Sequence, residues 1–354
     1  MKKTLVAMAV MAVAGAASAQ ATLYGKIDIG WEYLDAAGVQ TNKVGTGQFS
    51  GSRWGVKGTE DLGGGLGVVY QLEGGFQPDT GLTGQSNLVG TGPNSGVRAT
   101  TGVLDTRLTD ARIFGRQAYV GFTGGFGSLT LGRQYTPNDN ILGLVDPMGA
   151  AGAQAGPMYS VFTSQGANVD NKGAGRQNNA ISYSTPNMSG LGVQVMFAPD
   201  ETGVVDQRFV GVNATYSAGP ISAGVSYEQQ TITGAAKSDT GVMIGGMYDL
   251  GAVRLGGTYF NGTKSNATED KISAFYAGLS VPLGAATLSA GYARQTLSVA
   301  GSTDATSTGF GANAVYTLSK QTNLYAGYLS KDDVSALNVS TKTNSFVAGM
   351  RKDF

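Results

Sequence analysis

The sequence predicts an all-β chain, a 16-stranded antiparallel β-barrel that crosses a membrane with its strands. Three observations carry this reading. Apolar residues recur at every second position in short runs; glycine is abundant (56 residues) while proline is scarce (9); and no long apolar run follows the N-terminal one. A strand sends successive side chains to opposite faces, so weak, repeated alternation is how a transmembrane barrel looks in sequence.

Ser52–Phe76, SRWGVKGTEDLGGGLGVVYQLEGGF, shows the pattern in two arms joined by Asp61-Leu62-Gly63-Gly64-Gly65. Turns that need positive φ take glycine, so this is a hairpin signal. Trp54 and Val56 share one face of the first arm, and Arg53, Gly55 and Lys57 the other. In the second arm Leu66, Val68, Tyr70 and Leu72 alternate with Gly67, Val69, Gln71 and Glu73. The greasy face is a core in a soluble sandwich and a lipid surface in a barrel, and composition decides between them.

Lys2 and Lys3, the uncharged run Leu5–Ala17 and then Ala17-Ser18-Ala19 read as a secretory signal cut before Gln20. That run is shorter than the roughly 20 residues a spanning helix needs. The organisation is therefore a signal, 1–19, followed by one barrel domain, 20–354. Removing the signal takes away two lysines and no acid, leaving 22 basic against 24 acidic side chains. This balance argues against a nucleic-acid partner. The absence of cysteine excludes a disulfide framework. The absence of histidine excludes Ser-His-Asp and Cys-His catalysis and His-ligated zinc.

In chain order, Thr22–Leu34 is the first strand and a polar loop, Asp35–Gln48, leads into the opening hairpin. After Phe76 comes an aperiodic Gly/Thr/Asn-rich loop, Gln77–Asp110. Arg112–Phe122 and Ser128–Tyr135 form the next hairpin. Thr136–Gly175 is a second long loop with a helical turn at Asn140–Val145, and loops of this length are often functional. A regular beat of strands begins at Asn178. From Pro186 onward the tight turns recur about every 32 residues, one hairpin plus one loop, until Asn344–Phe354 closes the chain. Short turns alternate with longer polar loops, as expected for periplasmic and extracellular rims. Each strand runs about 8 to 12 residues, enough to cross a bilayer when tilted. Tyr216, Tyr248 and Tyr316 lie near strand ends, where interfacial girdles belong.

Four pieces, SRWGVKGTEDLGGGL, FGRQAYVGF, FGSLTLGRQYTP and the terminal AGMRKDF, resemble the general porins of β-proteobacteria, a trimeric Gram-negative family. The similarity spans the whole mature chain. It implies a homotrimer in the outer membrane, in contact with lipid and lipopolysaccharide, inserted by barrel-assembly machinery that reads the C-terminal Phe354, and without cofactor. It also implies that Thr136–Gly175 folds inward as a constriction and that Gln77–Asp110 latches a neighbouring subunit. By position within the motifs, Arg53 and Lys57 match the basic wall of the family's eyelet, and Arg116 and Arg176 its remaining arginines. Asp139 and Asp146 of the inward loop are the candidates for an acidic counter-wall. Arg133, at the mouth of that loop, is a further pore-lining candidate. For Arg53 and Lys57 the plain alternative is a solvated strand face. A basic wall facing carboxylates sets a transverse field in a narrow wet pore.

The function expected is passive diffusion of small hydrophilic solutes and ions with a mild preference for anions. The alternative is a solute-specific channel with a saturable site, which a run of lumenal aromatics or a denser arginine ladder would mark; Tyr135 and Phe162 are too isolated to make one. A barrel enzyme lacks the usual nucleophile activation. A soluble secreted sandwich or adhesin would wash off the membrane.

Overall fold

Alternating small and apolar residues lay out strands, and backbone pairing joins them into one antiparallel sheet. The computed structural model describes residues 21–83, 113–149, 156–162, 175–200, 208–231, 238–264 and 268–354. The predicted signal, most of the predicted latching loop and parts of the predicted inward loop lie outside the described residues. The strands are β1 (Thr22–Ala36), β2 (Val39–Thr46), β3 (Arg53–Gly63), β4 (Leu66–Gly75), β5 (Gln117–Gly124) and β6 (Gly127–Tyr135). They continue as β7 (Arg176–Ser184), β8 (Leu191–Ala198), β9 (Phe209–Ala218), β10 (Ile221–Gln230), β11 (Asp239–Asp249) and β12 (Arg254–Thr263). The last five are β13 (Lys271–Leu283), β14 (Ala286–Ser298), β15 (Ala305–Ser319), β16 (Thr322–Val334) and β17 (Ser340–Asp353). Two helices, α1 (Pro137–Val145) and α2 (Pro157–Phe162), sit between β6 and β7.

The sheet closes on itself. One edge of β1 pairs with β17, from Lys26↔Asp353 to Ala36↔Thr343. Its other edge is shared, β3 pairing with Thr22–Lys26 and β2 with Ile29–Ala36. Hence β2 and β3 are halves of one stave, and 17 segments make the expected 16-stranded barrel. Closure pairs the ladder internally, which a bilayer demands.

The split stave corrects one expectation. Asp35–Gln48 is not a polar loop but the turn and second arm of a hairpin, because Ala37 and Gly38 both take positive φ (54° and 85°), as a tight two-residue turn requires. The polar composition of VQTNKVGT concealed the strand. Between β2 and β3, Gly47–Ser52 leaves the wall, six residues standing opposite two of β1. Asp28 holds it, accepting from the Ser50 amide (2.7 Å) and the Tyr325 hydroxyl (2.7 Å). Glu32 accepts from Gln48 Nε2 (3.2 Å), and the Phe49 ring stacks on Tyr325 at 5.5 Å.

Burial separates the two faces as the alternation requires. On β10, Val225 is 46 % exposed while Glu228 on the opposite parity is 2 % exposed. The same holds for Trp31, Leu72, Val120, Ile244 and Leu288, whose exposed side chains form an apolar outer surface. A continuous apolar exterior around a polar interior is a lipid-facing wall. The barrel's apolar core is consequently small and lies inside, under the two helices.

Those helices rest where wall side chains are missing. Thr136 caps α1, accepting from the Asp139 amide (3.5 Å), and Pro137 fills its first turn. Ile141, Leu142 and Val145 then face the wall of β9–β12. A Cβ on Gly211 would come within 2.8 Å of Pro137, one on Gly224 within 2.4 Å of Ile141, and one on Gly245 within 3.0 Å of Val145. Glycines at these strand positions are thus a floor for the helix rather than turn formers. Glu228 fixes the helix start by accepting from the Asn138 amide (2.7 Å). Gly224→Val should overpack this seat at a cost of about 1–3 kcal/mol. The expected outcome is a folded, heat-modifiable barrel that melts earlier and has an altered unit conductance; wild-type values for both would remove the glycine floor as the support of α1.

Candidate functional site

Three arginines gather from separate elements around one tyrosine. Arg116, on the short segment before β5, donates through Nη2 to the Tyr135 hydroxyl (2.8 Å) and through Nε to Glu73 Oε1 (2.7 Å). Arg176, at the start of β7, donates to the same hydroxyl (2.8 Å) and lies 4.4 Å from the centre of its ring. Arg53, at the start of β3, donates to Ser50 Oγ (3.1 Å) and is within electrostatic reach of both other guanidiniums. A bulge brings Tyr135 and Arg176 together. The β6–β7 register slips between Gly132 and Gln134, with Asn179 at positive φ (55°), and pairs Tyr135 with Arg176.

Like charges so close repel, and the surroundings offset this. The Tyr135 oxygen has two lone pairs, one for each guanidinium. Glu73 supplies the counter-charge, with Oε1 on Arg116 and Oε2 accepting from the Tyr24 hydroxyl (2.9 Å). Gln71 donates to Tyr24 (2.6 Å) and accepts from Tyr119 (3.0 Å). One hydrogen-bonded line therefore runs Tyr119, Gln71, Tyr24, Glu73, Arg116, Tyr135, Arg176.

Of the residues expected from the sequence, Arg53, Arg116 and Arg176 come together. Asp139, in the first turn of α1, faces them and is among the charges acting on Arg116. Tyr159 of α2 points its hydroxyl at Asp139 (3.5 Å). Burial, and then Asp139, push the Tyr159 phenol well above its ordinary range, so it stays a neutral donor. Asp146 closes the far end of α1 and is tied to the wall, accepting from Tyr276 (2.6 Å) and from the Met148 amide (3.0 Å). Arg133 braces the loop mouth, donating to the Gly115 carbonyl (2.7 Å) and Asn178 Oδ1 (2.6 Å). Lys57 stands apart, four residues along β3 from Arg53, with its ammonium 5.0 Å over the Tyr24 ring.

Glu73 and Tyr135 are the site residues that sequence reasoning passed over. Glu73 was visible on the charged face of the opening hairpin, but nothing local marks it as the partner of Arg116, 43 residues away. Among the described residues no cluster of acids is placed to hold a metal ion.

A closed barrel with an apolar exterior, two helices folded inside and a cluster of charges beside them is an outer-membrane channel. The family model described as Gram-negative porin matches residues 4–335, and the chain belongs to that family. It is 32 % identical to outer membrane porin protein 32 of Delftia acidovorans over 97 % of this chain and 93 % of that one. Identity to an outer membrane porin protein of Bordetella pertussis is 29 %, with 100 % of both chains covered. Among solved structures it is similar to an anion-selective porin from Comamonas acidovorans, with a TM-score of 0.77 and 27 % identity over 95 % of this chain and 100 % of that one. The trimer form of OmpT from Vibrio cholerae shares the fold, with a TM-score of 0.68, 16 % identity and 95 % and 99 % coverage. The protein is an outer-membrane porin, an integral β-barrel and not an enzyme.

Glu73→Gln should leave Arg116 buried without its carboxylate, a loss of about 3–5 kcal/mol. The expected result is a lower melting temperature together with a reversal potential moved further toward anions. A melting temperature equal to wild type would show that the pair is not structural.

Proposed function

We propose that the porin is a homotrimeric passive channel for small hydrophilic solutes and ions with a mild preference for anions. The observation that carries the sign is the balance at the narrow place: Arg53, Arg116 and Arg176 against Glu73 and Asp139. Three cations and two acids leave a small positive excess, and charged rings at a constriction tune which ions pass. Arginine keeps its charge even when crowded against other cations. The similarity to an anion-selective porin points the same way.

In this reading Arg53, Arg116 and Arg176 form the basic wall and Asp139 the acidic one. Asp146 serves by fixing the inward loop, Arg133 by bracing its mouth, and Lys57 lines the lumen beyond the eyelet. Residues 1–19 are removed on export. The Phe354 backbone pairs with Gly25 (2.9 and 3.0 Å) and leaves its ring half exposed at the short-turn rim, where insertion machinery, lipid and lipopolysaccharide can meet it. A trimer accords with the trimer form of the similar OmpT barrel.

The test is planar-bilayer recording of the purified protein across a KCl gradient. Conductance steps in threes with an anion-favouring reversal potential are expected, and a cation-favouring potential would refute the sign. Arg116→Ser should move the potential toward cations. Tyr135→Phe keeps every charge and the stacked ring but removes the shared acceptor, worth about 1–3 kcal/mol; a smaller shift in the same direction is expected. An unchanged potential would show that the tyrosine orients neither guanidinium.

A further inference from the structure

The strap Gly47–Ser52 folds inward from the middle of a stave, and the wall is built to hold it there. Buried backbone groups need partners, and at the gap the Ser52 hydroxyl stands in for the missing strand. It accepts from the Asp28 amide (2.9 Å) and donates to the Asp28 carbonyl (3.0 Å), while the Asp28 carboxylate takes the Ser50 amide. The Phe49 ring lies against Tyr325 and has the Arg351 guanidinium 5.3 Å from its centre. It also belongs to the buried apolar cluster that contains Ile141 of α1 and Phe162 of α2. Gln48, Phe49, Ser50 and Ser52 are all buried. A strap pinned at every residue but its glycines is a rigid support, as a site that must hold side chains in place requires.

Two neighbouring positions of the strap meet two different arginines. Ser50 Oγ accepts from Arg53 Nη2 (3.1 Å). Gly51 is half-buried and lies against Arg116, where an added Cβ would stand 3.3 Å from Nη1. Arg116 spends Nε on Glu73 and Nη2 on Tyr135, so Nη1 is the nitrogen turned to the strap. Gly51 does not take positive φ, so its conformation does not call for glycine; what the glycine supplies is room at Nη1. We propose that the strap is a selectivity element of the channel, with Ser50 a positioning residue that aims Arg53 and Gly51 a specificity-determining position that keeps Arg116 within reach of passing anions. The field of a fixed charge weakens with distance, so an uncharged side chain that holds ions off a guanidinium lowers its influence. The proposal rests on the channel reading and deepens it: two neutral residues set the strength of the anion preference.

The experiment is the KCl-gradient reversal potential and unit conductance of full-length variants that change no charge. Gly51→Ala and Gly51→Leu should move the potential toward cations in that order, as the longer side chain covers more of the guanidinium. Ser50→Ala frees Arg53, which the like charges of Arg116 and Arg176 then push out of the cluster. Its shift should run the same way, smaller than that of Arg116→Ser, and Ser50→Thr, which keeps the hydroxyl, should restore the wild-type potential. Both Ser50 variants keep the main-chain bond to Asp28, so they decide the matter even where Gly51→Leu does not fold. Wild-type potentials throughout, or a conductance that falls with no change in potential, would overturn the selectivity role while leaving the porin reading in place. A shift in Ser50→Ala that Ser50→Thr shares would remove Ser50 as the residue that aims Arg53. A wild-type channel that favours cations would instead fail the underlying reading of the arginine cluster.

Discussion

Everything in this barrel depends on β1 having a partner along both edges. A strand in hydrocarbon cannot leave its amides to water, so the first and last strands must find each other. Here β17 occupies one edge while β2 and β3 divide the other. That division lets Gly47–Ser52 fold inward without opening the wall, because Asp28 and Glu32 receive the polar groups the excursion exposes. A loop dipping into a barrel usually enters from the rim. This short one leaves from the middle of a stave, and it puts Ser50 beneath Arg53.

The charged site inside the barrel is built by two opposite devices. On one side, cations are crowded together and made tolerable by shared acceptors, Tyr135 for two guanidiniums and Glu73 for one of them. At an effective dielectric near 20, two unit charges 4 Å apart interact by about 4 kcal/mol, so the acceptors are needed to hold the cluster in register. Beside it, the helix bearing Asp139 packs close to the inner wall because Gly211, Gly224 and Gly245 offer no side chains to hold it off. The seat of the helix is set as much by what β9–β11 omit as by what the helix carries.

The architecture was legible in the sequence because its signal is repeated. Alternation and tight glycine turns recur in hairpin after hairpin, and Gly63–Gly65 take the positive φ that the opening hairpin demanded. The helix at Pro137–Val145 was half legible from Asn140–Val145. The stave at Val39–Thr46 was not, since its lumenal and rim residues are polar and its turn carries an alanine in the left-handed region. At the site, arginines embedded in motifs were legible. Glu73 and Tyr135 were not, because their meaning comes from partners 19 to 49 residues away. The abundant glycines suggested turns, and only the packing of α1 shows that several of them are seats.

The line of hydrogen bonds from Tyr119 to Arg176 carries a consequence for how this wall can change over evolutionary time. Its seven members share acceptors, so the free energy of any one depends on whether the next is present. Substitutions along it will be epistatic, with a change tolerated at Tyr24 or Gln71 in one background and harmful in another. Arg116 and Arg176 are therefore expected to drift as a set with their aromatic and amide neighbours. Related barrels that replace one of them should carry compensating replacements several staves away.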